Sequence, residues 1–208
     1  MIHEIFPVGP LQCNCSIIGD ETSREAMVVD PGADIDQILA LVRRHGLQVK
    51  QIVITHGHID HIGGAMKLKA ATDAPILMNQ QDLEQLPILD QFAALVGMER
   101  PGPVAIDADL RDAAPLAIGS ITGTVMHTPG HTQGSVCLYL PAAQKLIAGD
   151  LLFAGSIGRT DLPGGDYHQI MQSLRNVVTL PEQTVVVPGH GPLTSIGAER
   201  EGNPFLVD

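Results

Sequence analysis

The chain has 208 residues, 44% of them hydrophobic, and a net charge of −11. Its length favours one compact domain over residues 1–208, with a core of Val, Ile, Leu, Ala and Met, because Trp is absent and aromatics make up only 3%. The 12 Lys and Arg form no basic stripe, which argues against nucleic acid, and neither a run near the ~20 apolar residues of a membrane span nor a basic leader is visible, so a cytoplasmic protein without a membrane partner is expected.

Taken in chain order, apolar runs at 2–6 and 13–18 read as strands. Cys13 and Cys15 share one face of the second as small core residues; three cysteines make no disulfide framework. A strand at 26–30 precedes a helix marked by Ile35, Ile38, Leu39, Leu41 and Val42 that ends near Gly46. A buried-type strand at 51–55 then feeds the densest polar cluster in the chain, His56-Gly57-His58-Ile59-Asp60-His61. In extended backbone His56 and His58 project to one side. Asp60 is placed to cap the helix that begins there, which runs from Ile62 to Ala71, and Gly63 and Gly64 let it approach a neighbouring backbone. Imidazole and carboxylate bind zinc, iron and manganese, so His56, His58, Asp60 and His61 read as half of a metal site.

A strand at 75–78 leads to a helix from Asp82 to Val96, interrupted near Pro87. The stretch 97–115, rich in Pro, Gly and Asp, reads as a surface loop between two halves. Strands follow at 116–118, 121–127, 135–140 and 145–149. His127 is a candidate for orienting a ligand by a hydrogen bond. A helix from Tyr167 to Leu180, capped by Asp166, precedes a strand at 184–187, and His168 on its first turn is a candidate for the pocket wall. His131, Asp150 and His190 each stand at a strand end beside Gly or Pro, where active sites of alternating α/β chains collect. The two halves share a plan of paired strands, a helix, and a strand ending in a His.

Four motifs together resemble those of the metallo-β-lactamase-fold hydrolases over nearly the whole chain: Thr55-His56-Gly57-His58-Ile59-Asp60-His61, Thr128-Pro129-Gly130-His131-Thr132, Gly149-Asp150 and Pro188-Gly189-His190-Gly191. The resemblance implies an α/β fold, a four-layer αβ/βα sandwich of two mixed sheets flanked by helices. It implies two divalent metal ions, zinc foremost and iron or manganese admissible. His56, His58 and His131 would hold the first and Asp60, His61 and His190 the second, with Asp150 bridging. Enzymes that open β-lactams lack a bridging Asp at that position, so the chain resembles rather the glyoxalase II group, the hydroxyacylglutathione hydrolases, in a compact bacterial form. The implied activity is cleavage of a small thioester such as S-lactoylglutathione by a hydroxide shared between the metals, oriented by Asp60 as the catalytic residue.

Arg159 stands where that group carries a Lys that binds glutathione. Its fork suits a carboxylate, and it is equally placed to pair with Asp161 or Asp166. The chain departs from the group in having Asp161 in place of a Tyr, Gly191-Pro192 in place of Glu-Tyr, and about eighteen residues after His190 in place of a helical extension. Gly158-Arg159-Thr160-Asp161 also resembles the persulfide dioxygenases, with one iron on His56, His131 and Asp150, and that activity is the alternative. A non-catalytic metal-binding domain is the third possibility, disfavoured because every ligand position is filled.

Overall fold

The computed structural model describes residues 1–207. Strands β1 (Ile2–Val8), β2 (Cys13–Gly19) and β3 (Glu25–Val29) run antiparallel. Helix α1 (Ile35–Arg44) then crosses to β4 (Gln48–Val53), parallel to β3. After α2 (Ile59–Ile62) and α3 (Ala65–Thr72) come β5 (Ile76–Met78), a 3-10 stretch Gln80–Ile88, α4 (Leu89–Val96) and β6 (Ala108–Asp109). The first sheet has the order β1-β2-β3-β4-β5-β6.

The second half repeats the plan. Strands β7 (Pro115–Ile118), β8 (Ile121–His127), β9 (Val136–Leu140) and β10 (Lys145–Gly149) run antiparallel. A small hairpin of β11 (Leu152–Phe153) and β12 (Ser156–Ile157) precedes α5 (Tyr167–Val177), which crosses to β13 (Val185–Pro188), parallel to β10. Strand β14 (Thr194–Ser195) and α6 (Ile196–Gly202) complete it.

Three apolar clusters define four layers. Ile18, Met27 and Val53 pack against Val125, Leu138 and Ile147 between the sheets. Ile17, Val28 and Ile52 face the other way, onto Ile38, Leu68 and Ala93 of α1, α3 and α4. Leu146 and Ala148 meet Ile170, Leu174 and Ile196 of α5 and α6. Adjacent strand residues therefore go to opposite covered faces, which is why these strands read as continuous apolar runs. The α/β sandwich expected from the sequence is the fold observed.

Several local expectations are corrected. The helix expected from Ile62 to Ala71 is two short helices, because the Gly64 amide leaves the helical ladder to donate to the Pro31 carbonyl (3.0 Å). Asp60 does not cap it: His58 occupies the N-cap, and Asp60 lies inside α2 with its carboxylate turned toward His190. The helix expected from Asp82 to Val96 is 3-10 up to Ile88, since Pro87 supplies no amide to an α-helical ladder. The presumed loop 97–115 contains β6, which extends the first sheet. Among the described residues no helix is long and apolar enough to cross a membrane.

Candidate metal centre

The seven side chains singled out in the sequence converge at one edge of the sandwich. His56, His58, Asp60 and His61 leave the end of β4 and enter α2; His131 lies in the β8–β9 turn; Asp150 and His190 follow β10 and β13. Backbone bonds stitch the sheets together here, with Val136 N donating to Thr55 O (2.9 Å) and Asn14 N to Gly189 O (2.7 Å). Gly189 is required by a close approach: a Cβ there would stand 2.0 Å from Asp150 Oδ1 and 2.8 Å from His61 Cε1.

The donors fall into overlapping groups. His58 Nδ1 lies 3.1 Å from His56 Nε2 and 3.0 Å from His131 Nε2. On the other side Asp60 Oδ2 lies 3.1 Å from His190 Nε2 and 3.7 Å from His61 Nε2. Asp150 reaches both, with Oδ1 3.4 Å from His61 Nε2 and Oδ2 3.5 Å from His131 Nε2.

The surrounding hydrogen bonds set which ring nitrogen faces inward. His131 Nδ1–H donates to the Arg159 carbonyl (2.8 Å) and His190 Nδ1–H to the Leu11 carbonyl (3.0 Å). His61 Nδ1–H donates to Asp30 Oδ2 (2.9 Å), and Cys13 Sγ touches the same nitrogen at 3.5 Å. The Thr55 hydroxyl donates to Asp30 Oδ2 (2.7 Å), which leaves it to accept from His56 Nδ1–H (3.1 Å). Four imidazoles thus turn Nε2 inward and His58 its Nδ1, as outer-sphere partners arrange for metal-binding histidines.

Electrostatics divide the donors. Burial is outweighed at His61 by Cys13, Asp150, Asp30 and Asp60, and at His190 by Asp60 and Asp150, so both are raised above the ordinary histidine range and a cation there would take the place of a proton. Burial, then the neighbouring imidazoles, push His56 well below the ordinary histidine range, and the same causes bring His58 down to about 3. Burial alone would raise Asp60 and Asp150, but His61 and the other imidazoles outweigh it and hold both below the usual carboxylate range. Burial pushes the Cys13 thiol up to about 12, so it is a neutral packing group, as expected.

The residues fit a pair of cations. His61 Nε2 and Asp150 Oδ1 are buried with no hydrogen-bond partner, an arrangement that costs about 1–3 kcal/mol per group unless something is bound there. The groups His56/His58/His131, His56/His61/Asp150 and Asp60/His61/His190 each bring their donor atoms within 4.8 Å of one another.

Beside the cluster lies a cleft of about 470 Å³, walled by α4 and including Arg159. Arg159 gives Nε and Nη2 to the two oxygens of Asp161, each at 2.7 Å, so of the two carboxylates open to it Asp161 is the partner. A second cleft of about 530 Å³, bordered by Gly9, Ala33, Lys67 and Met98, touches none of the seven side chains. His127 faces no candidate ligand; its Nε2 bonds the Gln133 carbonyl (2.8 Å) and braces the turn that carries His131. His168 is exposed on α5 and does not line the cleft.

Sequence reasoning missed Asp30 and Asp82. Asp30 carried the same signal as the ligands, a polar residue at a strand end beside Pro31-Gly32. Asp82 carried none. It is fully buried and accepts from Gly57 N (2.7 Å), Thr132 Oγ1 (2.7 Å) and Gly134 N (2.6 Å).

Two overlapping His/Asp sets at the shared edge of two sheets, inside a four-layer α/β sandwich, define a metal-binding, hydrolase-like enzyme. The chain belongs to the metallo-beta-lactamase superfamily, which it matches over residues 8–190. It is 35% identical to the hydroxyacylglutathione hydrolase GloC of Haemophilus influenzae, over 98% of this chain and 97% of that protein. Among solved structures, BLEG-1, described as a B3 metallo-beta-lactamase, superposes with a TM-score of 0.91 at 38% identity, covering 100% of both chains. A protein solved in a di-iron-bound form gives 0.88 at 38% identity, over 96% of this chain and 98% of that one.

Proposed function

We propose that the chain is a metal-dependent thioester hydrolase acting on a small molecule in the cleft beside the cluster. One observation carries this reading. The two carboxylates facing the cleft, Asp60 and Asp150, are held ionised, and among the described residues no other acid lines it. With Nε2 of His190 given to a cation, its remaining ring proton is committed to the Leu11 carbonyl. Such a site holds no acid protonated in advance, and the protons nearest a leaving group are those of the attacking water. A thiolate departs without an acid, whereas the nitrogen of a β-lactam needs protonation as its bond to carbon breaks.

His56, His58 and His131 would hold one cation, Asp60, His61 and His190 a second, with Asp150 between them. Two divalent cations there, for which these donors serve zinc, iron and manganese alike, would supply hydroxide near neutral pH and draw charge from the substrate carbonyl. Asp60, partly open to the cleft, accepts a hydrogen bond from the attacking water and orients its oxygen. Asp30, Thr55 and the Arg159 and Leu11 carbonyls keep the imidazoles from turning. In the reaction a C–O bond forms from a water oxygen, the C–S bond breaks, and the products are a carboxylate, a thiol and one proton.

Metal-loaded protein is expected to release thiol from S-lactoylglutathione or a simpler thioester at least about a hundredfold faster than His58→Ala, since even outer-sphere partners are worth 10–100-fold. Equal rates for the two proteins on every thioester sink the proposal. A chromogenic β-lactam, and oxygen uptake with glutathione persulfide on iron-loaded protein, read the two competing activities directly.

A further inference from the structure

The cleft differs in chemistry from one end to the other. Helix α4 lays Leu89, Phe92, Leu95 and Val96 along its side. Leu95 is 79% exposed, a large apolar side chain held over the cleft rather than in the core. The wall is tied at both ends. Gln85 Nε2 donates to the Pro163 carbonyl (2.9 Å) at the Arg159 end. Beyond α4 the chain returns to the first turn, with Met98 Cε 3.8 Å from where a Gly9 Cβ would stand, and Leu11 closes this end beside His190.

Polar recognition is weak by comparison. Arg159 is the one Lys or Arg lining the cleft among the described residues, and the Nε/Nη2 edge of its guanidinium is paired with Asp161, which offsets its charge. A carrier thiol with free carboxylates meets the Asp161 charge beside that guanidinium and a chain charge of −11. Nothing comparable opposes an apolar chain on α4, where each methylene taken from water adds to binding.

We infer that the substrates are thioesters of saturated, apolar acyl groups, with the acyl chain lying along Phe92, Leu95 and Val96 toward Leu11 and the carrier thiol at the Arg159 end. Small hydroxyacyl groups such as lactoyl leave this wall bare. The inference rests on the thioesterase reading for the reacting bond, while the apolar subsite itself is tested separately.

The experiment takes the metal-loaded full chain and one neutral thiol, N-acetylcysteamine, acylated with acetyl, butanoyl, hexanoyl or octanoyl groups. We expect kcat/KM to rise about fourfold for each methylene the wall covers, the equivalent of about 0.8 kcal/mol. Phe92→Ala and Leu95→Gln should each flatten that slope. Ketone analogues with CH2 in place of sulfur give a second readout, their Kd falling along the same series. Asp161→Asn, which removes the charge beside the guanidinium, should raise kcat/KM for the glutathione carrier and not for the neutral one. A flat series in both turnover and binding, or a lactoyl thioester preferred to the butanoyl thioester of the same thiol, overturns the inference and leaves thioester hydrolysis standing. Binding that tightens with chain length while no thioester is cleaved does the reverse: it keeps the apolar subsite and rejects the hydrolase reading.

Discussion

Asp82 hydrogen-bonds to no candidate ligand, yet it ties together the two turns that carry three of them. One oxygen accepts from Gly57 N, between His56 and His58, and from Thr132 Oγ1; the other accepts from Gly134 N, beyond His131. Asp82→Ala leaves the buried Gly57 and Gly134 amides without a partner, while the Thr132 hydroxyl keeps Ser135 Oγ at 2.7 Å, a loss of a few kcal/mol at about 1–3 kcal/mol for each amide. The same substitution is expected to weaken metal binding 10–100-fold, because His131 is no longer held against His58. Chelator competition and thermal unfolding read the two effects, and an unchanged chelator midpoint would show that the turns keep their spacing unaided. Asp82→Asn gives no full rescue, since its NH2 must face a donor. The seven candidate ligands were legible because they crowd into short motifs at strand ends. Asp82 was not, because in sequence it is an ordinary acid in a helical pattern and its three partners lie 25 to 52 positions away.

Among the elements, α2 is the one on which the site turns. It spans only Ile59–Ile62, yet carries Asp60 and His61, and a helix of four residues cannot hold its own position. Contact with the loop after β3 holds it. A Cβ on Gly32 would stand 1.6 Å from the Asp60 carbonyl oxygen, and Gly64 N bonds the Pro31 carbonyl. Gly32→Ala therefore has to push α2 away, at an expected cost of about 3 kcal/mol or more. The Asp60/His61/His190 set should suffer first, so metal analysis is expected to fall from two bound ions toward one while His56, His58 and His131 keep theirs. Two tightly held ions and an unshifted Tm in that variant would mean the contact is not what sets α2. The sequence shows why half of this device was readable. Gly63-Gly64 interrupts a helical pattern and announces a close approach, but the backbone it approaches belongs to Pro31-Gly32, and nothing local links the two. Helix α4 is a similar case. Its apolar periodicity is that of any helix on a core, and only the exposure of Leu95 in the folded chain separates a cleft wall from a buried face.

At the scale of the whole molecule the two sheets meet over an apolar interface, and sheet alternation made this legible: runs apolar on both faces need cover on both faces. The alternation also places His3 where a titratable group is conspicuous. His3 lies opposite Ile18 on β1, so it faces the second sheet, where Lys145 of β10 donates from Nζ to its Nδ1 (2.8 Å) while Nε2 bonds Ser16 Oγ (3.2 Å). Burial, and secondarily the Lys145 charge, lower His3 from 6.5 to about 4. Between those values the unfolded chain takes up a proton that the folded chain refuses. Stability is therefore undiminished by this group above pH 6.5, falls as the pH drops through that window, and has lost the whole contribution below pH 4. With His3 partly exposed the loss is on the order of 2 kcal/mol. His3→Gln keeps an acceptor for Lys145 and removes the titration. Urea midpoints of both proteins, measured in chelator from pH 7 to 4.5 so that the shared carboxylates and site histidines cancel, should diverge steadily, with the wild type losing more. Parallel curves would falsify the account. Divergence would locate part of the acid sensitivity at the join between the two sheets, remote from the edge that carries the metal centre.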